Sequence, residues 1–238
     1  LARAYSAKGT YMVYIGKKDK DPFIEFEKAL EEFGNDIGNR KITMAHILQY
    51  AIEIQDKQLY EIYSVEYFGK QNSFIDALES LLRETNFNEY SLFIFLKAIY
   101  TFYIEEIDAE CQKKIRQLVE DRRIKELTTH PIQLIYRYIA LILYKKEQRV
   151  TIEIQDIFLS SMTCVKQGNI DLNKPINILM CITYQTMWIY NELTEQHKEN
   201  EELLEIMQEH CQKSKWDKLY KTLVNRKNIK EMFIYEYS

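Results

Sequence analysis

Glycine and proline are scarce in this chain, six and three in 238 residues. All-β sandwiches and barrels need a turn residue about every 8–12 residues, so they are excluded, and so are the Gly-rich loops that cradle phosphates. The four cysteines, at positions 111, 164, 181 and 211, include no C-x-x-C pair. They read as reduced core residues of an intracellular, cytoplasmic protein, with no disulfide framework. Positive charge is also short. With 32 Lys and Arg against 36 Asp and Glu the net charge is −4, which supplies no global basic surface to release phosphate counterions, and direct nucleic-acid binding by this chain is not expected. Long apolar runs are missing too. Ser91–Ile104 and Pro131–Tyr144 are interrupted by Lys97 and Arg137 and fall short of the roughly 20 residues a spanning helix needs, so no membrane association is expected. The chain opens on Leu1 rather than Met and shows no basic segment followed by an apolar one. The expectation is no signal peptide, and a fragment that has lost an N-terminal domain.

What remains is apolar matter at helical spacing. With 46% apolar and 29% charged residues the chain can build a sizeable core, as one large domain or two small ones. Ala4, Ala7, Tyr11 and Tyr14 form one helical stripe, and Phe23, Phe26, Leu30 and Phe33 form the next, with Pro22 suited to a first helical turn. The spacing predicts a third helix over Thr43–Ile54 and a fourth over Leu59–Phe68, closed by Gly69. A fifth starts at Ser73, an N-cap residue type. Glu89–Ile107, Pro131–Tyr144 and Ile176–Tyr190 are apolar around most of their circumference and read as buried helices. Asp108–Leu127 is amphipathic, Ile152–Val165 fits a helix better than a strand, and Asn191–Ser238 reads as one charged helix with one or two shorter ones. The whole is an all-α, single helical domain over 1–238: N-terminal hairpins at 1–107, central buried helices at 108–190, and charged C-terminal helices at 191–238. It is expected to hold about ten to twelve helices, stacked as antiparallel pairs in a right-handed superhelix; a compact bundle is the structural alternative.

An internal echo supports repeated hairpins. Tyr14-Ile-Gly-Lys, then Phe23-Ile and Ala29-Leu, is matched by Tyr67-Phe-Gly-Lys, then Phe74-Ile and Ala77-Leu. The two glycines, Gly16 and Gly69, lie 53 residues apart (69 − 16), against about 34 in a tetratricopeptide array. Over Ala4–Phe33, with Gly9 in its first helix, the Tyr14-Ile-Gly16 turn, and Phe26 and Ala29 in its second, the chain resembles a tetratricopeptide unit with one extra residue in its turn. Degenerate arrays of that kind resemble the regulatory domains of Gram-positive peptide-sensing transcriptional regulators. The resemblance implies a peptide-binding helical repeat whose DNA-binding head is missing here. It carries over no functional residue by position.

Chemical motifs are few. His46, His130, His197 and His210 are scattered and form no H-E-x-x-H or E-x-x-H pair, so neither a metal nor any other cofactor is expected. Arg123 with His130, and Arg40 with His46, satisfy the bare Arg–His spacing of helical ribonucleases of the HEPN type. His130 precedes Pro131, however, and so belongs at a helix entry. Charge is segregated near the end: seven Glu against Lys198 between Glu192 and Glu209, then seven Lys and Arg against Asp217 between Lys213 and Lys230. Two solvated helix faces that attract one another account for this; Lys215, Lys218, Lys221, Arg226 and Lys227 form the alternative, a basic patch for an acidic partner. Tyrosine is abundant, at 18 residues. Much of it suits core packing, and a curved stack of hairpins would also expose an aromatic groove to an extended peptide. The residues expected there are Asn173 and Asn177 for the peptide backbone, Lys97 or Arg137 for a carboxylate, and Tyr100 and Tyr184 for aromatic contact. The expected function is therefore a non-catalytic peptide- or protein-binding module, not an enzyme. A homodimerising assembly protein and a helical ribonuclease are the alternatives.

Overall fold

The computed structural model describes residues 1–15, 21–69, 73–83, 87–127, 129–162 and 178–214. Among them there are twelve α-helices and no strand, and the all-α expectation holds. The chain divides into two compact units, meeting in sequence at Glu84 and Thr85.

The first unit holds α1 (Ala2–Ile15), α2 (Pro22–Phe33), α3 (Ile37–Glu53), α4 (Lys57–Phe68) and α5 (Phe74–Arg83). Helix α1 packs on α2, α2 on α3 and α3 on α4, and α1 also reaches α3. Asp21, Asp36 and Asp56 each accept a backbone N–H with the side chain at the start of α2, α3 and α4. Ser73 does the same for the Asp76 N–H at 3.1 Å while donating its hydroxyl to the Asp76 carboxylate at 2.8 Å, as expected of an N-cap. Two expectations need correcting here. The third helix begins at Ile37, six residues ahead of Thr43, because Asp36 caps it. The stripe Ala4, Ala7 and Tyr11 faces outward, and α1 instead buries Ser6, Gly9 and Met12. The reason is steric. A Cβ on Gly9 would lie 2.6 Å from Cε1 of Phe26, so only glycine lets α2 press its largest buried ring against this face of α1.

The second unit holds α6 (Glu89–Ala98), α7 (Ala109–Leu118), α8 (Arg122–Lys125), α9 (His130–Glu147), α10 (Ile152–Ser161), α11 (Ile178–Leu193) and α12 (His197–Ser214). Its axis is α9, in which every residue from Ile132 to Leu143 is buried. It packs against α6, α10 and α11, which is how a helix apolar on all sides satisfies itself. The expected single helix over Glu89–Ile107 is not continuous: α6 passes at Ile99 into a π-helical segment, Ile99–Tyr103, and then a 3-10 turn, Ile104–Glu106. The amphipathic stretch Asp108–Leu127 forms two helices, α7 and α8, because Asp121 caps a new helix by accepting the Arg123 N–H at 2.8 Å. Asn88, Asp108 and Thr151 cap α6, α7 and α10 in the same manner.

Candidate functional site

Helices α6 and α9 are joined by rings. Tyr138, fully buried on α9, meets Phe93 edge-on at 5.6 Å and Tyr100 at 5.8 Å between centroids, a geometry that suits the charge distribution of aromatic faces. Cations close both ends of this stack. The Lys97 ammonium lies 5.7 Å from the Phe93 centroid, and the Lys145 ammonium lies 4.0 Å from that of Tyr100 while donating to the Tyr100 carbonyl at 3.1 Å. The carbonyl belongs to the π-helical segment, where the backbone ladder departs from α-helical register. Burial pushes the Tyr100 phenol up from its ordinary range.

On another face of α9, Arg137 is completely buried, and its Nη1 donates to Oε1 of Gln185 on α11 at 3.3 Å. One turn earlier on the same helix stands Gln133, also completely buried. Residues four apart share a helix face, so Gln133, Arg137 and Gln185 form a polar track through an otherwise apolar interior. Gln133 reaches the floor of a cleft of about 460 Å³. Its walls come from Val119 and Glu120 after α7, Lys125 of α8 and Leu127 beyond it. Ile132 and Tyr136 of α9 continue the wall, and Asp156, Ile157 and Ser160 of α10 complete it. Glu120 and Lys125 are ion-paired across the rim. The Tyr136 phenol is pushed up, first by burial and then by the Glu120 carboxylate, so it stays protonated at neutral pH.

Of the residues expected at a binding site, Lys97 and Tyr100 belong to the ring stack. Arg137 belongs to the polar track, and Tyr184 is buried on α11 at 1% exposure. Lys97 at 6% and Arg137 at 0% are interior cations. Asn173, Asn177 and the basic patch Lys215, Lys218, Lys221, Arg226 and Lys227 lie outside the described residues. Sequence reasoning missed the cleft. Its only advance signal was the polar pair Gln133 and Arg137 inside an apolar helix.

The Arg–His pairs occupy separate settings. Arg40 donates to the Leu30 carbonyl and the Glu66 carboxylate, both at 2.9 Å. His46, six residues along α3, projects about 240° away around the helix and packs against Phe26 and Thr10. Arg123 grips Asp121 through two nitrogens at 2.7 and 3.1 Å and lies 5.2 Å from the Phe87 ring. His130 opens α9 and is held below its usual pKa by burial, against the pull of Glu89. Cys111 is buried as a free thiol, and burial and Asp108 raise its pKa to about 11. Among the described residues no three His, Cys, Asp or Glu side chains gather closely enough to hold a metal ion. Among the same residues no helix is long and apolar enough to cross a membrane.

No family model, curated protein or solved structure matches the chain.

Proposed function

We propose that the chain is a non-catalytic binding module for a peptide or an extended protein segment, of the kind that serves as the sensor half of a peptide-responsive regulator. The observation that carries this reading is the cleft beside α9. Its volume, about 460 Å³, matches what one or two side chains or a small ligand occupy. Aliphatic walls supply affinity there, and a few fixed polar groups supply direction. The Asp156 carboxylate, exposed on α10 at its edge, accepts hydrogen bonds and so complements a peptide N–H. A ligand pressing on the α9 wall beside Gln133 would be felt one turn on at Arg137, and through it at Gln185 on α11. A binding event therefore has a physical route into the interior of the second unit.

The test is an array of peptides of about eight residues probed with the full chain and with Ser160→Trp, which fills the cleft from its rim. Binding by the unaltered chain, weakened about tenfold or more by the tryptophan while thermal stability holds, is expected. Peptides indifferent to Ser160→Trp, or none bound at all, would overturn the reading.

A further inference from the structure

The cleft's charges narrow its ligand. Glu120 and Lys125 neutralise one another across the rim. Asp156 lines the same cleft and has no ion-pair partner among the described residues. The Ser160 hydroxyl donates its proton to the Asp156 carbonyl at 2.9 Å, so that proton is not offered to a ligand. The α10 lining therefore presents an excess of one negative charge, the Asp156 carboxylate. The same cleft is lined by the aliphatic side chains of Val119, Leu127, Ile132 and Ile157 and by the ring of Tyr136. A carboxylate or phosphate would meet like charge here, which costs affinity and rejects such ligands. A neutral apolar ligand would leave the Asp156 charge partly desolvated and unpaired. An ammonium on an apolar body answers both halves of the site, and the tyrosine ring favours a cation over a neutral head group.

We infer that this cleft takes the ammonium end of an amphipathic ligand, with Asp156 as the counter-charge and the aliphatic wall holding the apolar body. Resting on the peptide reading above, the ligand's ammonium is a peptide amino terminus followed by an apolar side chain. Asp156 acts as a specificity determinant, since it sits exposed on α10 and contributes nothing to the core.

Calorimetric titration of the full chain with hexylammonium, 1-hexanol and hexanoate tests the inference. Hexylammonium should bind more tightly than hexanol, and hexanoate least. Asp156→Asn should weaken hexylammonium about fivefold, the scale of one partly exposed charge contact, while leaving hexanol unchanged and the melting temperature intact. Hexanol binding as tightly as hexylammonium, or indifference to Asp156→Asn, would overturn it. Paired peptides with free and acetylated amino termini separate the two sources of the charge. Peptides that bind equally in both forms sink the inference and leave the peptide reading standing. Hexylammonium binding that depends on Asp156, in a chain that binds no peptide, sustains the amine site and sinks the peptide reading.

Discussion

His46 illustrates how little room the first unit leaves for charge. Its ring stands against Phe26, 6.3 Å between centroids, and its Nδ1 lies 3.1 Å from the Thr10 hydroxyl. That hydroxyl already donates to the Ser6 carbonyl at 3.0 Å, so the imidazole is the donor of the pair and sits as the neutral Nδ1–H tautomer. Burial holds its pKa below the ordinary value, and the direction of the consequence follows. In the unfolded chain the imidazole takes up a proton as pH falls through about 6.5, while in the fold it resists, so stability is complete above that pH and declines below it until the folded group titrates as well. Denaturant titrations at a series of pH values should show this decline between pH 7 and 5. His46→Gln should flatten it. An unchanged slope in the variant would assign the decline to other groups.

At the scale of the helix, the shortage of glycine has a visible effect. Gly34 and Gly69 take positive φ just past α2 and α4, as glycine does best, but Gln55, Gln148 and Glu195 also take positive φ after α3, α9 and α11, Gln148 in the left-handed helical region. A side chain there costs roughly 1 kcal/mol relative to glycine. Gln148→Gly should therefore stabilise the second unit by about 1 kcal/mol at most, since the unfolded chain also gains freedom; chemical denaturation reads the shift, and a loss would mean the Gln148 side chain repays its strain. Helix starts rely on Asp, Asn, Ser and Thr side chains rather than on proline alone. This explains which boundaries were legible in the sequence. Gly69 and Ser73 are unambiguous punctuation, and α9 and α10 follow from periodicity and the Pro131 and Thr151 entries. Asp36 and Asp121 were passed over because each stands among other polar residues, where a cap looks like any surface aspartate. The face of α1 was misread for a different reason: apolar periodicity cannot register a contact made by an absent side chain at Gly9. The cleft was illegible because its walls come from five segments between Val119 and Ser160, and only Gln133 and Arg137 break pattern in the chain itself.

At the scale of the molecule, the division at Glu84 and Thr85 separates two cores with different characters. The first is built on a close helix approach at Gly9 and Phe26; the second is built around one enclosed helix. Gly9→Ala should destabilise the first by about 1–2 kcal/mol, because crowding at Phe26, itself held by His46, outweighs the gain in helix propensity. Both tryptophans, Trp188 and Trp216, fall within the second unit's range. In the Gly9→Ala chain, helical circular dichroism should therefore melt earlier while tryptophan fluorescence keeps its transition. Coincident shifts of both signals would show the two cores to be thermodynamically one. The π-helical segment at Ile99–Tyr103 gives the second unit something its other described helices lack, which is slack in chain length. A π turn carries one residue more than an α turn, so losing a single residue there can be absorbed by reverting to α-helical winding. The same loss inside α9 would swing every later side chain by about 100° and take Arg137 out of line with Gln133. Of the two helices that build the ring stack, α6 can tolerate a change in length where it passes into this segment, and α9 cannot.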